Sequence, residues 1–206
     1  MKRTLPLMIA VILCCLLVSG CHRSGAGDLC TSCDCANNGS AQEEAKDYKI
    51  IDSGRCSENV QWEIRSNGTL YIYGSGPIPN YASQPANGTI APWKASAVSS
   101  EITDIVVSDD ITGIGEYAFS GSISSIRLGH SVITFGWGGH FITDTAYLPS
   151  SLTEKALRNF FHDLQNFSGS SNYPLTIYYE GTEAEFNRAA EGIDLEKAVI
   201  HCNATY

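Results

Sequence analysis

Residues with the means to do chemistry are few in this chain, and they stand apart from one another. The densest group is Cys30, Cys33 and Cys35, three thiols within six positions. Thiolates at that spacing suit zinc, but a closed site needs four ligands and only His22 is near enough to complete the set. Linker thiols or a local disulfide are the other readings. Asp109-Asp110 offers paired carboxylates, yet it stands between two apolar runs, where aspartates make solvated turns by bonding their own backbone. His130, His140, His162 and His201 fall one to an element, which argues against a metal cluster. No nucleophile elbow, HExxH helix, phosphate loop or glycine-rich dinucleotide turn occurs. One loop is unusual: Gly136-Trp137-Gly138-Gly139-His140. Trp137 is either an exposed stacking platform for a sugar or apolar side chain, or a filler in an irregular coil. The chemistry on offer is recognition; no catalytic residue, metal site or cofactor is expected.

Cys21 has a separate chemistry. Lys2 and Arg3 precede an apolar run from about Leu5 to Leu17, which is shorter than the ~20 residues that span a bilayer. The run ends in Leu17-Val18-Ser19-Gly20-Cys21, which resembles a bacterial lipobox. That resemblance implies cleavage before Cys21 and diacylglyceryl modification of its thiol; an ordinary secretory signal is the plainer reading. Either way residues 1–20 are an export signal, and the expected location is a bacterial cell surface, the chain anchored to a membrane by lipid. Residues 21–47 contain one large apolar side chain, Leu29, and read as a flexible tether. At ~5–6 Å × √n, about 25 such residues hold a domain some 25–30 Å from the membrane.

Charge narrows the partners. Without Lys2 and Arg3 the basic count falls from 13 to 11 against 22 acidic residues, a formal charge of −11. Such a surface repels phosphates, so no nucleic-acid partner is expected, and membrane attachment must come from the lipid. With Cys14 and Cys15 lost in the signal and Cys21 lipidated, five cysteines remain, an odd number that cannot all pair internally. Cys56 and Cys202 flank the folded region and are either a disulfide closing nearly the whole chain or two buried thiols. Five Asn-x-Ser/Thr sequons, at Asn38, Asn67, Asn87, Asn166 and Asn203, read as turn chemistry.

The elements that would position these residues repeat. Ile105 and Val107, a Ser-Asp-Asp turn and Ile111 are followed by Ile126, Leu128, Gly-His-Ser and Val132. Ala146, Leu148, Pro-Ser-Ser and Leu152 come next. Val132 lies 21 residues after Ile111 and Leu152 lies 20 after Val132, within the range of solenoid repeats. Each unit is too small to bury its own apolar face, so stacking must build the core. Upstream, residues 60–64 and 69–74 alternate around Ser66-Asn67-Gly68, a hairpin signal. Downstream, Leu152, Ala156, Phe160 and Leu164 mark an amphipathic helix over 152–166, capped by Ser151 or Thr153. A strand over 175–179, a helix from Thr182 to about Glu191 and a strand over 198–201 follow.

The segments Ser53–Tyr81, Ala91–Trp93, Glu101–Gly121 with its ITGIGEYAF, Ile177–Ala189 and Ala198–Asn203 resemble, in that order, the BspA-type leucine-rich-repeat proteins of bacterial surfaces. The resemblance implies an α/β repeat fold, a short and degenerate leucine-rich-repeat solenoid with an N-terminal β-hairpin cap and a C-terminal helix-strand cap. Residues 48–100 would form the β-rich capping region and 101–206 the repeats with their cap. It implies a non-catalytic binding or adhesion module for a host or cell-surface protein or glycan. A structural or accessory (substrate-capture) lipoprotein without its own ligand is the alternative. Phe135–Phe141, FGWGGHF, departs from the repeat signature.

The repeat itself carries an expectation about the binding face. If Ile105/Val107, Ile126/Leu128 and Ala146/Leu148 point inward, Val106, Arg127 and Tyr147 align outward on neighbouring strands. Asp104, Ser125 and Thr145 form the column beside them, Tyr178 extends the patch, and Trp137 lies at its edge. Ile114 would seal the coil, Gly115 permit a tight turn, and Ala118 leave room for Phe119. The 60–93 region and the 152–166 helix would close the two ends.

Overall fold

The computed structural model describes residues 47–164, 175–195 and 198–206. The export signal, the tether, Cys21, the Cys30–Cys35 thiols, Asn38 and Asn166 lie outside them. Among the described residues no helix is long and apolar enough to cross a membrane.

The described residues open with three antiparallel strands, β1 (Ile50–Arg55), β2 (Val60–Arg65) and β3 (Thr69–Gly74). The expected hairpin is β2–β3, turned at Gly68, whose φ of +84° suits a residue without a Cβ. The sequence reading misses β1 because Asp52, Ser53 and Gly54 break its apolar pattern; it is an edge strand, mostly exposed. The chain then alternates between two layers. It crosses to β4 (Gly76–Pro77), returns through the short helix α1 (Pro92–Ala95) to β5 (Asp104–Val107), and crosses again to β6 (Ile111–Ile114). β7 (Gly121–Arg127), β8 (Thr134–Phe135) and β9 (Phe141–Leu148) repeat the alternation. Helices then take the place of second-layer strands: α2 (Glu154–Asp163), β10 (Leu175–Tyr179), α3 (Glu183–Ala189) and β11 (Ala198–Cys202).

The result is a mixed α/β fold with a large, mainly parallel sheet and few helices. Among the described residues eight strands run β1-β2-β3-β5-β7-β9-β10-β11, all parallel from β3 onward, and β4-β6-β8 form a three-stranded parallel sheet. Leu70, Ile105, Ile126, Ala146 and Ile177 pair in successive register, and all five are buried. Residues 48–100 and 101–206 therefore share one sheet and contribute to one core.

Between the layers runs a file of aromatic rings. Trp62, Trp93, Phe119, Phe135, Phe160, Phe161 and Phe186 contact one another in that order, centroids 5.3–6.5 Å apart. Trp93 also donates from Nε1 to the Ala118 carbonyl at 3.0 Å, which satisfies the one polar atom of a buried indole. α2 turns Ala156, Leu157, Phe160 and Phe161 to this file, and Thr153 caps it by accepting from the Ala156 amide at 3.2 Å. In α3 Thr182 and Glu185 form a reciprocal capping box.

Three expectations are corrected. The helix expected over 152–166 does not lie past the last strand; it packs on β8, and the sheet continues beyond it through β10 and β11. Gly115 serves close approach rather than a tight turn: an added Cβ would overlap the Pro79 carbonyl, and its backbone is not left-handed. Cys56 and Cys202 are free thiols, near β1 and on β11, the opposite edges of the eight-stranded sheet. At ~4.8 Å per strand step they are on the order of 30 Å apart, far outside disulfide range. Burial pushes both thiols up from their ordinary value, so neither is an activated nucleophile.

Phe160 is fully buried and meets Phe135 and Phe141 edge-on, at 5.3 and 5.5 Å. Phe160→Ala should cost about 3–5 kcal/mol in urea unfolding. A cost under about 1 kcal/mol would mean that the aromatic file does not hold the layers together.

Candidate functional site

Side chains of a strand alternate between faces, so those opposite the core line up outward as regularly as the core residues do inward. Tyr71, Val106, Arg127, Tyr147, Tyr178 and His201 pair in succession across β3, β5, β7, β9, β10 and β11. None is buried, and Arg127 and His201 are exposed. The Tyr147 and Tyr178 rings stack at 5.0 Å and 9°, and Tyr178 stacks on His201 at 4.9 Å and 14°. Near the other end Tyr71 stacks on Tyr73 at 5.4 Å, and the Arg65 guanidinium lies 4.2 Å from the Tyr71 and Tyr48 ring centres alike. Parallel stacking at the strand spacing joins the Tyr147, Tyr178 and His201 rings of three neighbouring strands into one platform.

Tyr206 folds back onto this face. Its ring is 5.2 Å from Tyr147 and 5.8 Å from His130, with the Arg127 guanidinium 5.1 Å above it. Burial pushes the Tyr206 phenol well up, with Glu180 adding to the effect. Asp109 holds the neighbouring turn: it accepts from the His130 amide at 3.0 Å, while His130 Nδ1 meets Glu180 at 2.6 Å. Glu180 in turn accepts from the Ser150 amide at 3.1 Å. The Asp109-Asp110 pair therefore belongs to turn chemistry, linking turns that follow different strands. Asp104, Ser125 and Thr145 stand side by side in the adjacent column. Ser125 and Thr103 hydroxyls both donate to the Asp104 carboxylate, so much of its capacity is spent inside the sheet.

Trp137 is elsewhere. It is 54 % exposed, so it does not fill an irregular coil, and it lines a cavity against β8 and α2 that none of the row residues borders. The loop carrying it is tightly held. Asp163, 3 % exposed at the end of α2, accepts from the Gly138 and Gly139 amides at 2.8 Å each. Burial pushes the Asp163 carboxyl up, and those two amides pull it back toward the charged form. Gly138 has φ +96° and packs on the Tyr117 ring, which lies 6.1 Å from the indole. Among the described residues no three His, Cys, Asp or Glu side chains converge to hold a metal.

Sequence reasoning overlooked Tyr71, His201 and Tyr206 as members of the row. Tyr71 and Tyr73 carry a readable signal, since they alternate with the core residues Leu70 and Ile72. The clamp between Asp163 and the glycine loop has none, because it joins residues 24 and 25 apart in sequence.

No model of a known protein family matches the chain, and no curated protein is similar to it by sequence. A leucine-rich repeat protein of known structure from Eubacterium ventriosum aligns at 16% identity with a TM-score of 0.43. The alignment covers 74% of this chain and 44% of that protein, so the chain spans less than half its length.

Asp163→Ala should strand two buried amides and cost about 2–4 kcal/mol. Hydrogen exchange at Gly138 and Gly139 should accelerate more than in the rest of the domain. Unchanged exchange at both would show that the clamp does not hold the loop.

Proposed function

We propose that this chain is an exported, lipid-anchored bacterial surface protein whose flat sheet face binds a protein or glycan partner without catalysis. In this reading it is a short solenoid of the BspA leucine-rich-repeat kind, its sheet extended by the β2–β3 hairpin and ended by the β10–α3–β11 segment. The observation that carries the binding role is the row Tyr71, Val106, Arg127, Tyr147, Tyr178 and His201, aligned outward across six strands. Stacked tyrosines beside an arginine suit a protein partner best, since rigid aromatic and guanidinium groups concentrate binding energy. An acidic, featureless face would instead favour the accessory reading, and this face is aromatic. The lipid at Cys21 and the tether would hold it clear of the membrane.

Two outcomes test this. Binding of the mature protein to immobilised matrix proteins should weaken about tenfold or more in Tyr147→Ala and Tyr178→Ala, with the unfolding midpoint little changed. Absence of binding to matrix proteins and glycans alike would favour the accessory reading. Separately, Cys21→Ser should release the protein into the soluble or secreted fraction. A variant that stays in the membrane, with the wild type unprocessed, would refute the lipid anchor.

A further inference from the structure

The cavity beneath Trp137 combines features that the sheet face lacks. Its volume is about 730 Å³, within the range of small-molecule pockets. The exposed indole at its rim is rigidly presented: Asp163 holds the two glycines after it, and its own carbonyl accepts from the Tyr117 amide at 3.2 Å. Tyr117 and His140, at the two ends of this arrangement, both have left-handed backbones, φ 56° and 51°. A structure that orders a strained loop around a half-exposed tryptophan gains nothing from burying it, which points to a ligand for the ring.

The walls supply polar groups that are already oriented. Asn80 accepts from the Glu116 amide at 2.9 Å through Oδ1, and its Nδ2 has no partner among the described residues. Asn159 donates through Nδ2 to the Phe135 carbonyl at 2.7 Å, and its Oδ1 likewise has no partner among the described residues. Each amide is pinned at one end, leaving one donor and one acceptor. Glu116 lines the cavity beside Asn80.

We propose that this cavity is a saccharide-binding site. An aromatic plane suits the C–H face of a pyranose ring, and fixed amide groups suit its hydroxyls, each of which both donates and accepts. Glu116 and Asp163 on the lining are offset by Lys155, with His140 and His162 beside them, so the cavity carries no strong net charge, which suits neutral or N-acetylated sugars. The site is separate from the tyrosine row, so it stands or falls independently of it.

The test is full-length protein on an array of neutral and N-acetylated glycans, followed by titration of the best binders with heat of binding as readout. Trp137→Ala should weaken binding at least tenfold, equivalent to about 1.4 kcal/mol, and Asn80→Ala should also weaken it. Ile50→Ala, on the exposed edge strand β1 and in neither candidate site, should leave it unchanged. Trp137→Phe, which keeps an aromatic plane, should restore part of the affinity and shows that the loss is not misfolding. No glycan binding, binding that survives Trp137→Ala, or capture of apolar peptides alone would each overturn the proposal.

Discussion

Everything in this structure depends on the register of parallel strands. A parallel strand cannot turn back on its own neighbour; its amides and carbonyls must be satisfied by the same segment of the next unit, reached after a crossing. The side-chain period of two then removes any freedom. If Ile105 lies against Ile126, Val106 must lie against Arg127 on the opposite face, and a slip by one residue would expose the core and bury the arginine. Core formation and alignment of the outer row are thus one event.

That coupling explains which parts of the fold are readable from sequence. Inward pairs such as Ile105 and Val107, repeated at 126/128 and 146/148, carry the register and with it the outward alignment of Val106, Arg127 and Tyr147. The β2–β3 hairpin and α2 are equally legible, because an Asn-Gly turn and an i, i+4 apolar stripe are local signals. What escapes is long-range. The cysteines look like partners because they bracket the folded region in sequence. Yet a linear sheet places the two ends of its chain at opposite edges, where a closed barrel would bring them together. The sequence leaves Trp137 either a platform or a filler because nothing nearby announces Asp163, whose carboxylate holds the glycines that follow the indole.

The two layers divide the surface into faces of different character. On the large sheet, rings from separate strands stack at the strand spacing, and the adjacent Asp104 column is already hydrogen-bonded within the sheet. Such a face is flat, aromatic and partly self-satisfied, suited to a broad contact. On the side of β8 and α2, one ring overhangs a concave space with unpaired amide ends, suited to a small polar ligand. The first arises from the regular register of the strands, the second where α2 takes the place of a strand.

Ring-to-ring nuclear Overhauser contacts across the strands test the register most directly. With centroids 5.0 Å apart for Tyr147 and Tyr178 and 4.9 Å for Tyr178 and His201, contacts should appear within both pairs. Tyr147 should show none to Phe135 or Phe141. Contacts from Tyr147 to those core phenylalanines, with none to Tyr178, would place it on the inner face and contradict the account.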